Sequence, residues 1–301
     1  EKRQIQDFLL RYINGFTSRS RLAVVTSGGT VAPLEHNTVR CVSNISTGMR
    51  GSQIAEQLLR AGYWVLFLSK SDSLQPFYSD FIPEFPLCPK KLTKNSALSL
   101  HSFEVKNGMV LVKEAHREKM GDLVRHYNLA CKGKLCIINF DTVWQYLSIL
   151  RLSAKEISRN LKVQHTKSVV VILAAAVSDF YLPVDKQPEH KIKSDASLKL
   201  ELQKVPKMLR ALSAQWLPTN TLIVGFKFES DSKRLEKSAR AQIENGGVDL
   251  CVGNLVSSYR YSVRLFFKKW KKAKEIASKR AKDVNRKIVK EIISLHERTK
   301  D

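Results

Sequence analysis

Residues 21–68 constrain the fold of this chain more than any other stretch. An apolar run, Leu22–Val25, stops at Thr26-Ser27-Gly28-Gly29-Thr30. A polar loop carrying Arg40 and Asn44 follows, and Ser46-Thr47-Gly48 then opens a helical pattern with Ile54, Leu58 and Leu59 on one face. Gly62 precedes a second apolar run, Trp64–Leu68. An apolar run, a helical period and another apolar run specify a strand–loop–helix–strand unit, which closes only in a parallel sheet. Glycine at the strand end lets backbone N–H groups approach a ligand, and the helix start offers unpaired donors to an anion. Neither G-x-G-x-x-G nor G-x-x-x-x-G-K-[ST] is met, and a plain tight turn would also use Gly28-Gly29. The loop, however, far exceeds the roughly two to six residues of an ordinary connection. That length points to a site for a phosphate-bearing ligand.

The alternation continues along the chain. Strands are expected at Leu22–Val25, Trp64–Leu68, Ser168–Ala175, Thr221–Phe228, Asp249–Gly253 and Ser262–Phe267. Helices are expected over residues 1–19, Gly48–Ala61, Pro206–Trp216, Ser232–Asn245 and Lys272–His296. The fold class is therefore α/β, Rossmann-like, with a mostly parallel sheet and helices on both faces. Residues 88–165 interrupt the alternation by more than one crossover needs. They hold helix-like Lys113–Leu129 and Phe140–Leu161 around a short strand at Leu135–Ile138. We read them as an insertion within one domain spanning 1–301, which ends in a basic strand/helix region over 260–301.

Bulk properties narrow the setting. No run of about 18 apolar residues exists, so no transmembrane helix is expected, and residues 1–4 show no apolar signal region. Cysteines 41, 88, 131, 136 and 251 form no C-x-x-C pair, as expected of reduced thiols in a cytoplasmic protein. The formal charge is +23, and residues 260–301 hold 15 Lys/Arg against 5 Asp/Glu. The spacing from Lys268 to Lys290 fits the solvated face of a helix. A nucleic-acid-binding tail is the competing reading.

In an open parallel sheet, ligands bind beyond the carboxyl ends of the strands where strand order reverses. Ala174-Ala175-Ala176 ends one expected strand with minimal side chains, which suits either a flat ring or ribose against the backbone, or tight helix–sheet packing. Asp179 follows and suits ribose hydroxyls, a magnesium ion or the cap of a turn. The loop Phe180–Ser197 then carries His190-Lys191-Ile192-Lys193, whose lysines can act as point charges on a triphosphate or lie in solvent.

These residues, taken together, give the chain a resemblance. TSGGT, PLEHNTVR and SN.S.G within 26–48, LAAAVSDFYLP at 173–183, EHKIKS at 189–194, LQKVPKML at 202–209, GFKFESD at 225–231 and DLCVGNLVSSYR at 249–260 resemble, in order, the phosphopantothenoylcysteine synthetases (phosphopantothenate–cysteine ligases) of the eukaryotic stand-alone kind. The resemblance implies a homodimer in coenzyme A synthesis that joins 4′-phosphopantothenate to the amine of L-cysteine. The carboxylate attacks the α-phosphate of a nucleoside triphosphate, and the amine then displaces the nucleotide from the acyl-nucleotidylate. ATP with Mg²⁺ is the expected cofactor, CTP being the bacterial choice.

The resemblance also assigns roles. Asn44 holds the acyl-nucleotidylate, Arg40 pairs with a substrate carboxylate or phosphate, and Lys191 with Lys193 neutralises the triphosphate. Phe226, Lys227 and Phe228 line the base pocket and Asp179 the ribose. Gly28, Gly29, Thr30, Ser46, Gly48, Ala174, Ala175 and Ala176 complete the nucleotide cleft. No protein nucleophile is needed, so the cysteines are expected to be dispensable for chemistry. Two alternatives remain open: a catalytically silent relative acting through its basic tail, and a nicotinamide-dependent oxidoreductase.

Overall fold

A computed structural model describes residues 1–81, 100–161, 169–193 and 197–298. Cys88, Ser168 and Ser194, each part of an expectation above, lie outside the described residues. The N-terminal half runs α1 (Lys2–Asn14), β1 (Leu22–Ser27), β2 (Val31–Pro33), β3 (Cys41–Ser43), α2 (Met49–Arg60) and β4 (Trp64–Lys70). Next come β5 (Phe103–Lys106), β6 (Met109–Val112), α3 (Glu114–Leu129), β7 (Leu135–Phe140), α4 (Val143–Asn160), β8 (Val169–Leu173), β9 (Phe180–Tyr181) and β10 (Gln203–Lys204). The C-terminal part holds β11 (Leu222–Glu229), α5 (Ser232–Gly246), β12 (Leu250–Leu255), β13 (Ser262–Phe267), β14 (Lys274–Ala277) and α6 (Ala281–Arg298).

Eight strands form the central sheet in the order β14-β13-β12-β11-β8-β1-β4-β7. Pairing is parallel from β12 through to β7, and antiparallel only where β13 and β14 close one edge. From β1 the chain winds outward through β4 to β7, then returns to β8 and winds the other way. The reversal falls between β1 and β8, where their carboxyl ends leave a crevice.

The apolar runs exist because both faces of the sheet are covered. Within β1, Ala23 and Val25 pack in the layer of Ile54, Leu58, Ile288 and Ile292, drawn from α2 and α6. Leu22 and Val24 pack in the opposite layer with Phe8, Tyr12, Ile149 and Ile157, from α1 and α4. Each buried Val, Leu, Ile or Phe in these layers contributes about 1.5–3 kcal/mol of transfer free energy. Thr142 and Gln145 start α4 with a reciprocal capping box, and Asp231 caps α5 by accepting from Arg234 N–H at 2.9 Å.

Several expectations change. The interrupting segment contributes to the sheet itself, since β7 pairs with β4 from Val65–Leu135 to Lys70–Phe140. Of the strands among its described residues, only the hairpin β5–β6 stands outside the central sheet. Lys272–His296 is not one helix: β14 pairs with β13, and α6 starts at Ala281. Basic residues at helical spacing hid a strand whose existence depends on the edge it covers. Pro206–Trp216 is helical only from Leu209, where an α turn (Leu209–Ala211) runs directly into a π turn (Leu212–Trp216). The first helix ends at Asn14.

Candidate active site

The chain leaving β1 stitches the crevice together. Ala176 N–H donates to the Gly28 carbonyl at 2.8 Å, Thr30 N–H donates to the Ala176 carbonyl at 3.2 Å, and Val31 N–H reaches the Asp141 carbonyl at 3.1 Å. Thr30 is fully buried: its Oγ1 accepts from Ser178 N–H at 2.9 Å, and the Ser178 hydroxyl donates to the Thr30 carbonyl at 3.0 Å. Gly29 is required by close approach, since a Cβ there would sit 2.5 Å from the Asn44 carbonyl oxygen. Gly48, the residue before α2, has φ +76°, the left-handed region where glycine avoids a steric penalty.

The long polar loop is a hairpin. β2 and β3 pair antiparallel, and Glu35 plugs the turn between them. Glu35 Oε2 accepts from Val39 N–H at 2.9 Å and Arg40 N–H at 2.8 Å. Its Oε1 accepts from the Arg40 guanidinium at 3.1 Å and from Ile192 N–H at 3.0 Å. Arg40 also donates to the Ile192 carbonyl at 2.9 Å. His36 and Asn37 N–H donate to the carbonyls of Pro188 and Glu189 at 3.0 and 3.2 Å. The Glu35 side chain is wholly buried. The Ile192 amide, with those of Arg40 and Val39 and the Arg40 guanidinium, outweighs desolvation and holds its pKa down at about 2.

Two stretches some 150 residues apart are therefore zipped together within one chain. Asn44 adds a third tie, its amide donating to the Val177 carbonyl at 2.7 Å beyond β8. Beside it lies a cleft of about 200 Å³ lined by Gly29, Thr30, Ser43, Asn44, Ser46 and Lys70. That volume is below the roughly 300–1,000 Å³ of a whole small-molecule pocket, so it suits one part of a ligand, such as a phosphate group.

Residues 19–80 and 142–295 match the model of the DNA/pantothenate metabolism flavoprotein C-terminal domain. Phosphopantothenate–cysteine ligase 2 of Oryza sativa subsp. japonica is 35% identical over 262 residues, covering 85% of this chain and 75% of the relative. Phosphopantothenate–cysteine ligase of Homo sapiens is 36% identical over 242 residues, covering 79% and 73%. A solved histidine-to-alanine mutant of Cab2, in complex with phosphopantothenate-cysteine, superposes with a TM-score of 0.81 at 29% identity, covering 99% of this chain and 92% of that one. This chain belongs to the phosphopantothenate–cysteine ligase family.

For a member of that ligase family, the expected site residues fall into four groups. Gly28, Gly29, Thr30, Arg40, Asn44, Ser46 and Gly48 gather around the exit of β1. Ala174, Ala175, Ala176 and the exposed Asp179 line the exit of β8. Lys191 and Lys193 flank Ile192, the residue clamped by Glu35 and Arg40, and both are exposed.

The fourth group, Phe226, Lys227 and Phe228, is divided between two faces of one strand. All three lie within β11, so Phe226 and Phe228 share a face and Lys227 takes the other. Phe226 packs on the α2–α6 layer, Lys227 lies near the buried Cys251 thiol, and Phe228 is 56% exposed.

The ligase-family motifs did not single out Glu35 or Lys70. Glu35 stands inside the PLEHNTVR block, five residues before Arg40, but its burial depends on Ile192. Lys70 ends β4, lines the cleft and pairs with Asp72 at 2.5 Å. A cation directly after an apolar run, at a carboxyl end of the sheet, was the available signal.

Among the described residues, no three His, Cys, Asp or Glu side chains converge to hold a metal. Mg²⁺ commonly rides on substrate phosphates with one or two carboxylates, and the exposed Asp179 beyond β8 fits that limited requirement. Also among the described residues, no helix is long and apolar enough to cross a membrane.

Proposed function

We propose that this chain joins 4′-phosphopantothenate to L-cysteine through an acyl-nucleotidylate, using ATP, as a cytoplasmic homodimer in coenzyme A synthesis. The observation that carries the reading is the Glu35 junction. It places the Arg40–Asn44 hairpin and the Lys191–Lys193 loop in one assembly beside the β1/β8 crevice. Family membership and the phosphopantothenate-cysteine complex of the structural relative support the choice of substrates.

The chemistry needs such an assembly. A substrate carboxylate and a triphosphate repel, so the site must bring cations to both. Arg40, locked on Glu35 with its guanidinium about one-third exposed, meets the carboxylate or phosphate of phosphopantothenate. Lys191 and Lys193 meet the triphosphate, as point charges on a loop whose backbone is fixed at Ile192. Mg²⁺ on the phosphates, with Asp179 as its protein carboxylate, would neutralise further charge.

The carboxylate oxygen bonds to the α-phosphorus as pyrophosphate leaves. The cysteine amine then bonds to the acyl carbon, loses a proton and expels AMP. Asn44, aimed by its bond to the Val177 carbonyl, holds the acyl-nucleotidylate for that second step.

The test is pyrophosphate release from 4′-phosphopantothenate, cysteine and Mg²⁺, with ATP and CTP run in parallel. Release with ATP is expected, and silence with both nucleotides rejects the reading. Lys191→Ala should slow nucleotidylate formation about 10²-fold or more. Asn44→Asp should let the intermediate accumulate. Normal turnover in either variant overturns that residue's role. Light scattering showing a monomer would remove the dimer.

A further inference from the structure

Arg50 is the second residue of α2, within its first turn and two positions after the capping Gly48. Its guanidinium turns away from solvent: Nη2 donates to the Tyr259 carbonyl at 2.5 Å, and Nη1 is buried with no partner among the described residues. Burial pushes its pKa down to about 10, so it stays charged at neutral pH. Sealing a cation this way is costly unless its position serves something.

Tyr259 lies in the turn joining β12 to β13, held by its N–H donating to the Leu255 carbonyl at 2.8 Å. Its ring stands edge-on to Phe228, with centroids 5.4 Å apart at 90°. Arg260 closes the other side, its guanidinium carbon 5.7 Å from the Tyr259 ring centre and its Nε donating to the Tyr259 hydroxyl at 3.2 Å. One half-buried side chain thus connects the helix start at Gly48 to the ring pair at the exit of β11.

We infer that Arg50 is a positioning residue for the nucleotide, spacing the phosphate-binding turn at Gly48 from the base-side pair Tyr259–Phe228. The inference rests on the nucleotide reading above and adds a residue that touches no substrate. A spacer acts only on a ligand that engages both ends at once. A phosphate fragment or a nucleoside fragment, each using one end, should not sense it.

The experiment compares wild type with Arg50→Lys, which keeps the charge but loses the planar fork. KM for ATP and for 4′-phosphopantothenate is measured together with inhibition by tripolyphosphate and by adenosine. The expected result is an ATP KM raised about tenfold, the scale of one charged hydrogen bond. The KM for 4′-phosphopantothenate and both fragment inhibition constants should move less than about twofold.

Tripolyphosphate weakening in step with ATP would make Arg50 a direct phosphate contact, and an unchanged ATP KM would make it merely structural. Either overturns the inference. Should Arg50→Lys fail to fold, Tyr259→Leu serves: it keeps the accepting carbonyl and removes the ring. It should weaken ATP and adenosine while sparing tripolyphosphate, and sparing adenosine overturns the inference. If neither fragment competes with ATP on the wild-type enzyme, the nucleotide site itself has been misplaced and Arg50's role falls with it.

Discussion

Among the described residues, Glu35 and Glu56 are both completely buried beside an arginine, yet they do different jobs. Glu35, in the β2–β3 turn, uses both carboxylate oxygens: three backbone amides and the Arg40 guanidinium donate to it, one amide coming from residue 192. Glu56, on α2, accepts from Arg60 Nε at 3.0 Å one helical turn away, while its Oε2 is buried without a partner among the described residues. Arg60 has further partners in Asp122 at 2.7 Å and His126 at 3.1 Å. The first carboxylate fixes where two distant chain segments lie. The second completes a local charge pair on an already formed helix. A carboxylate bonded to backbone amides from distant segments carries positional information, whereas one bonded to a single side chain on its own helix carries little.

The same substitution at both sites tests that distinction most severely. Glu35→Gln keeps size and shape but turns an NH₂ group toward N–H donors, opening the junction that positions Arg40 and the Lys191 loop. Misplacement by about an ångström costs on the order of 10²-fold in rate. We therefore expect Glu35→Gln to lower kcat/KM for ligation by about that factor, with ordinary far-ultraviolet circular dichroism. Turnover within threefold of wild type would mean that the loops hold their places without the carboxylate.

Acid should reveal the same anchor at a smaller scale. Glu35 titrates near 2 in the folded chain against an ordinary value of 4.5. A depressed folded pKa contributes stability that is fully present above about 4.5 and is lost as pH falls toward 2. The urea midpoint of wild type should therefore fall more steeply than that of Glu35→Gln between pH 4.5 and 2. Parallel curves would show that the carboxylate is not specifically held.

Much of this architecture was legible because it depends on local pattern. Both faces of β1 are covered, so Leu22–Val25 reads as an unbroken apolar run, and Ser262–Phe267 coincides with β13 to the residue. The β1 exit was legible for a similar reason: glycine is demanded by backbone geometry at Gly48 and by the Asn44 carbonyl at Gly29.

What escaped depends on partners far away in sequence. β14 is a strand because β13 offers it an edge, while its own Lys274-Glu275-Ile276-Ala277 suits a helix equally well. Glu35 looks like one more loop acid until Ile192 arrives, and Arg50 like one more helix-surface cation until Tyr259 does. The adjacency of Phe226, Lys227 and Phe228 in the motif hides the two-residue strand period that divides them between two faces.

The smallest expected effect belongs to Glu56→Gln, and its smallness is what makes it informative. The change removes the negative charge that faces Arg60, but Arg60 is itself about one-fifth exposed and keeps Asp122. It also removes ionic character from an oxygen, Oε2, that is buried with nothing to receive. These terms oppose each other. Partly exposed pairs of this kind contribute about 0–1 kcal/mol, so the urea midpoint should shift by no more than that amount corresponds to. Ligation should proceed at the wild-type rate, because neither Glu56 nor Arg60 ties a loop of the crevice. A rate loss matching that of Glu35→Gln would show that burying any charge on this side of the sheet disturbs catalysis. Backbone anchoring would then no longer explain why one buried glutamate matters and the other does not.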